Sequence, residues 1–315
     1  MSGIWRCCRL GLTAVSGICL LLTVGEQPST SPTAHRTTQH AAATAVDAGV
    51  GRSSATTKDS TMPARAGDSI VNSLGLQGGQ VVYGVGMPVP VVFNVPVPDS
   101  SKADVERHLS VHSNPPQTGA WRWYGDQQVI YRPKDYWRPG TKLTITTPDQ
   151  TVTATIGRKT TFQISDATKQ MQVFQDDKLV KTFPVSLGAP ETLSSAGNMV
   201  IMTREPSAVW VYSADYQLNV SYAERLTVDG EYIHAAPWSV AEQGNTDVSH
   251  GCTNLSTDNA EWVYNNSQIG DPVTVSGTAK HLQPGNGWTV WDMTWSDYVK
   301  ASAPPRQAPQ KRAIK

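Results

Sequence analysis

The feature that most restricts what this 315-residue chain can fold into is a train of short β-prone runs from about residue 69 to residue 277. "QVVYGVG", "VPVVFNVPV", "LSVHS", "WRWYGDQQVIYRP", "KLTITTP" and "TVTATIG" are each broken by Gly, Pro or Asp before helical periodicity can develop. Such a train predicts an all-β first unit over 69–157, with a small immunoglobulin-like sandwich as its architecture. Gly125-Asp126 marks a hairpin inside the fourth run, and Pro88, Pro90, Pro96 and Pro98 predict edge strands. A second unit, 158–277, continues the pattern with a run ending at Ile164, "KQMQVFQ", "KLVKTFPVSLG", "GNMVIMTRE", "AVWVYS" and "EYIHA". Only "STDNAEWVYNNSQIG" reads as a helix, with Ser256 as N-cap and Gly270 after its end. The fold class is therefore mostly β.

The ends of the chain read differently. Arg6 and Arg9 precede an apolar run from Leu10 to Val24, which has the form of an export signal or N-terminal anchor over residues 1–25. Residues 26–68 are rich in Ser, Thr, Ala and Pro. Between Glu26 and Gly67 there is no aromatic, Leu or Ile, so this stretch reads as an unfolded linker. Residues 278–300 hold Trp288, Trp291 and Trp295, which read as a docking segment between domains. A basic tail, 301–315, is expected to be disordered. The chain is thereby expected to be exported to the cell envelope or wall, with membrane contact only through its first residues.

Charge excludes some partners. Lys plus Arg and Asp plus Glu both number 26, so no net field argues for nucleic acid. Three of the four cysteines lie in the first nineteen residues, which leaves Cys252 alone in the exported body. A lone thiol outside the cytoplasm is an oxidation hazard unless it is inert or a nucleophile.

Two histidines can serve such a nucleophile: His250, two residues upstream, and His234, eighteen upstream. A histidine on a neighbouring strand approaches a thiol better than one two positions away on its own strand, which favours His234 as the base. His250 and Gly251 then shape the turn and present backbone N–H groups to a developing oxyanion. No carboxylate stands out to orient His234, and a backbone carbonyl can hold its tautomer instead. Neighbouring imidazole and a helix start just downstream are both expected to lower the thiol pKa.

"YIHAAPWS" followed at this interval by "SHGCTNLS" closely resembles the L,D-transpeptidases of peptidoglycan, and the resemblance extends from about Ser69 to Val299. It implies an Ig-like module followed by a β-rich catalytic domain, an acyltransferase with a cysteine nucleophile and no cofactor or metal. It implies that Cys252 attacks the diaminopimelate–D-alanine carbonyl of a donor tetrapeptide stem. D-alanine leaves, and the side-chain amine of an acceptor stem resolves the thioester as a 3→3 cross-link. Carbapenems are the implied inhibitors. On the motif's positions Cys252 matches the nucleophile, His234 the base, and Ser249, His250, Gly251 and Asn254 the surrounding residues. Tyr216 and Trp238 match substrate-pocket positions, and Ala235 stands where many relatives carry serine. Gln217, Leu218 and Thr253 also depart from the usual pattern. Two other functions share these residues: an L,D-carboxypeptidase using water as acceptor, and a wall-binding module without turnover.

Blander readings hold elsewhere. His108 and His112 on one strand face could suggest a metal pair, but two ligands are too few for an ordinary zinc site. Trp121 and Trp123 read as sandwich packing.

Overall fold

The computed structural model describes residues 71–76, 81–213 and 216–300, leaving out the side chains of 71–73 and 211–216. The leader, the linker and the basic tail read from the sequence lie outside the described residues.

The first unit is a two-sheet sandwich. Its elements run β1 (Val71–Leu74), β2 (Val82–Tyr83), β3 (Val89–Phe93), α1 (Asp99–Arg107), β4 (Ser110–Asn114), β5 (Gly119–Tyr124), β6 (Gln128–Pro133), β7 (Lys142–Thr146) and β8 (Thr151–Ile156). One sheet has the order β1-β3-β6-β5 and the other β2-β8-β7-β4. Alternation turns Leu143, Ile145, Ala154 and Ile156 inward against Tyr83, Met87 and Trp137. The β5–β6 hairpin turns at Gly125, whose φ of +69° suits glycine. Trp123 stacks on Phe93 with centroids 5.5 Å apart, and Trp121 meets Tyr131 edge-on at 5.3 Å, so both are packing residues.

Three expectations are corrected here. Pro90 lies in β3, which is flanked by β1 and β6 and is not an edge strand. The short β1 makes this tolerable: the bond that reaches Pro90 runs from Gly75 N–H to its carbonyl, so no proline donor is needed. The run after Pro98 contains a helix, α1, whose Val105 joins Leu109, Phe93 and Trp123 in one cluster. His108 caps that helix, with Nδ1 2.8 Å from Asp104 O, whereas His112 lies on β4; they do not share a strand face.

The second unit comprises β9 (Thr160–Ser165), β10 (Gln170–Gln175), β11 (Lys178–Pro184), β12 (Gly197–Val200), β13 (Thr203–Ser213), β14 (Tyr216–Arg225), β15 (Tyr232–Ala235), β16 (Thr253–Leu255), α2 (Thr257–Asn266), β17 (Pro272–Ser276) and α3 (Trp295–Val299). Its sheets have orders β11-β10-β9-β17-β12 and β13-β14-β15-β16. They enclose a core of Phe162, Ile164, Met171, Val173, Leu187 and Val275, to which α2 adds Ala260 and Val263. At its estimated ~25 cal/mol per Å² of apolar surface, burial of this kind is the main stabilising term. Ser256 caps α2 as expected, accepting from Asn259 N–H. The helix stops at Asn266 with Ser267 as C-cap, so Gly270 does not end it. Gly270 (φ +91°) instead turns the chain where a Cβ would come within 2.8 Å of Met87 Cα.

That contact is part of a backbone seam between the units. Gly84 N–H donates to Ile269 O at 2.8 Å and Gly86 N–H to Gly270 O at 2.9 Å. The aromatic segment covers the same edge. Trp291 Nε1 donates to Gly86 O at 2.7 Å, Tyr298 Oη to Ile130 O at 2.6 Å, and Arg132 lies over the Trp291, Trp295 and Tyr298 rings. Among the described residues no helix is long and apolar enough to cross a membrane.

Candidate active site

The site forms where β15 pairs with β16. These strands run parallel, with Ile233 opposite Thr253, His234 opposite Asn254 and Ala235 opposite Leu255. Parallel neighbours need a long crossover, and residues 236–252 supply it. Side chains alternate along a strand, so Cys252 shares a face with Asn254 and sits diagonally beside His234. The eighteen-residue interval is therefore one crossover returning to the next strand.

Cys252 and His234 are both buried, and both line a cavity of about 250 Å³ with Trp210, Leu218, Trp238, Val248, Ser249, His250 and Asn254. His234 Nδ1 lies 2.9 Å from its own neighbour's carbonyl, Ala235 O. A carbonyl only accepts, so Nδ1 carries the proton and Nε2 keeps its lone pair. Trp210 meets the imidazole edge-on at 5.0 Å, and Trp238, half exposed, lies 6.0 Å away. Asn254 Nδ2 donates to Ser239 Oγ at 3.0 Å, which ties β16 to the turn after Pro237.

The turn before the cysteine is held by two serines. Ser249 Oγ donates to Cys252 O at 2.6 Å and accepts from Gly251 N–H at 3.0 Å. Gly251 has φ +117°, a region that favours glycine, and its carbonyl accepts from Ser194 Oγ at 2.8 Å. Across a trans peptide the carbonyl and the next N–H point in opposite directions, so Cys252 N–H is turned away from Ser194.

A model of the L,D-transpeptidase catalytic domain matches residues 159–275, and one of a bacterial Ig domain matches residues 28–153. L,D-transpeptidase 1 of Mycobacterium tuberculosis is 35% identical over 62% of this chain and 81% of that protein. The chain belongs to the L,D-transpeptidase family. L,D-transpeptidase 2 of the same species is 31% identical over 72% of this chain, which spans about three fifths (61%) of that relative's length. Among solved structures, an L,D-transpeptidase in complex with imipenem superposes with a TM-score of 0.59 at 34% identity, covering 65% of this chain and 98% of that one. M. tuberculosis L,D-transpeptidase 3 in complex with a faropenem-derived adduct gives 0.57 at 30% identity, covering 66% and 98%.

In this family member the electrostatics differ from expectation. Burial pushes the Cys252 thiol up to about 12, with the Tyr232 backbone opposing and the Glu231 charge assisting. Burial also pulls His234 down to about 4, against the Ala235 carbonyl and the Asn254 side chain. The resting pair is thus neutral thiol and neutral imidazole, with Sγ–H directed to Gly230 O at 3.7 Å. Neither the imidazole nor the start of α2, which β16 separates from Cys252, overcomes that burial.

The remaining predicted residues divide. His250 is exposed at the cavity rim, and Gly251 N–H, taken by Ser249, is not offered to an oxyanion. Ala235 is buried, meets His234 through its carbonyl and does not line the cavity. The Tyr216 side chain lies outside the described residues. Sequence reasoning did not find Trp210, which faces His234 because β13 and β14 pair Trp210 with Leu218. Nor did it find Glu231, which approaches the cysteine only through the fold. An alternating tryptophan in "AVWVYS" was the one available sign of Trp210.

Proposed function

We propose that this chain joins peptidoglycan stems by L,D-transpeptidation through a Cys252 thioester. The observation that carries the reading is a buried thiol sharing a cavity with an imidazole whose Nδ1 is fixed by Ala235 O. As the thiol sulfur bonds to the donor carbonyl carbon, its proton passes to His234. His234 then protonates the departing amine of D-alanine as the C–N bond breaks. Attack by the acceptor stem's amine breaks the S–C bond and returns a proton to sulfur. Starting from a neutral pair, proton transfer accompanies attack, which gives the imidazole a direct role in the rate. Cys252 N–H, aimed away from Ser194, is the donor we assign to the developing oxyanion.

The same attack by sulfur opens a carbapenem ring, and two solved relatives carry imipenem or a faropenem-derived adduct. We read the N-terminal sequence as an export signal or anchor that brings the enzyme to the envelope. The test is incubation with a purified tetrapeptide stem and mass-mapping of products. Dimer appearance supports the reading; tripeptide alone selects hydrolysis, and unchanged stem selects a wall-binding module. One carbapenem adduct, absent in Cys252→Ala, is expected on the peptide containing Cys252.

A further inference from the structure

Behind Cys252 lies an ion pair, its carboxylate buried and its Lys280 side chain 40% exposed, for which the transpeptidation steps have no use. Glu231 is 8% exposed at its side chain, and Oε1 is 2.7 Å from Lys280 Nζ. Ser195 donates its N–H to Oε2 at 2.9 Å and its hydroxyl to Oε1 at 2.7 Å. The backbone of Glu231 is equally bound: its N–H donates to Thr227 Oγ1 at 2.9 Å and its carbonyl accepts from Leu226 N–H at 2.9 Å. Its two chain neighbours face the sulfur, Gly230 through its carbonyl and Tyr232 through its backbone N–H. Ser194, next to Ser195, holds the Gly251 carbonyl. One carboxylate therefore joins both strands of backbone that bracket Cys252.

We propose that the Glu231–Lys280 pair is a positioning and charge-balancing element for Cys252. Glu231 fixes the backbone edge against the sulfur, and Lys280 offsets part of a carboxylate charge that opposes formation of the thiolate. The charged or titratable groups around this cluster are Asp229, 4.0 Å from Lys280 Nζ, together with Tyr232, His234 and His250 about the thiol. The proposal rests on the reading of Cys252 as nucleophile, but not on its substrate.

Alkylation separates the two. The full chain is treated with iodoacetamide at pH 8, and label is quantified on the peptide carrying Cys252. Lys280→Met leaves the carboxylate unbalanced and is expected to slow alkylation about threefold or more, half a pKa unit or above. Lys280→Arg is expected to keep the wild-type rate. Adding Glu231→Gln to Lys280→Met removes the offending charge and is expected to restore the rate. A structural role moves the double variant the other way, because it loses a further interaction. An unchanged rate in Lys280→Met, or a double variant as slow as Lys280→Met or slower, overturns the proposal. Should Glu231→Gln fail to fold, the salt dependence of Lys280→Met decides it: a deficit that shrinks in about 1 M NaCl supports charge balance, and one unmoved by salt overturns it. Loss of stem turnover with this alkylation pattern intact would count against the transpeptidase reading alone.

Discussion

Replacing His234 with Gln should change how the protein responds to acid by an amount that the structure specifies. Burial holds the folded imidazole near pKa 4, against 6.5 ordinarily. Between those values the unfolded chain binds the extra proton and the folded one does not, so stability is lost as pH falls. The group is 3% exposed, and solvent screening does not dilute the effect. From pH 7.5 to pH 4 the linkage amounts to about 3 kcal/mol. For a body of this size that corresponds to about 6–12 °C of melting temperature. Gln cannot titrate, and groups common to both proteins cancel in the difference. Melting curves of wild type and His234→Gln, taken in steps from pH 7.5 to 4, should therefore diverge, with the wild type losing more. Parallel curves would mean that His234 takes up its proton in the fold as readily as in water. The neutral resting base would then be wrong.

Other substitutions test neighbouring parts of the account. Cys252→Ala should abolish product formation and carbapenem labelling while leaving the melting temperature nearly unchanged, and retained turnover would remove the nucleophile. His234→Ala should lower thioester formation by about 10²–10⁴-fold near neutral pH; a larger loss in His250→Ala would reverse the two histidines. Glu224, fully buried beside Arg204 and Ser267, is pushed up to about 7 by burial. Its folded pKa lies above 4.5, so its contribution is present at low pH and fades as pH rises through 7. Wild type should thus lose about 3 kcal/mol more than Glu224→Gln between pH 4.5 and 8, measured by urea unfolding. Gly84→Ala places a Cβ 2.2 Å from Asp271 N and should lower the melting temperature through the seam between the units.

Sequence alone determined a good deal. Period-two runs broken by Gly and Pro can bury their apolar face only as sheets, and this gave the mostly β class and the β9 to β11 strands. The N-cap at Ser256 was visible because capping is local chemistry between residues three apart. Cys252 was legible as the one cysteine outside the leader and His234 through the resemblance of the motif; the parallel pairing of β15 with β16 is what brings them together. What the sequence could not show depends on distances between residues far apart in the chain. Helix α1 escaped notice because Val105 is its one buried residue, with too little apolar periodicity to announce it. The Glu231–Lys280 pair spans 49 residues and exists only because β15 passes the segment before α3. Protonation was decided there too. A thiol beside an imidazole suggests an ion pair on paper, but closure of the two sheets removes both groups from water. Desolvation disfavours each charged form, and it makes the resting pair neutral.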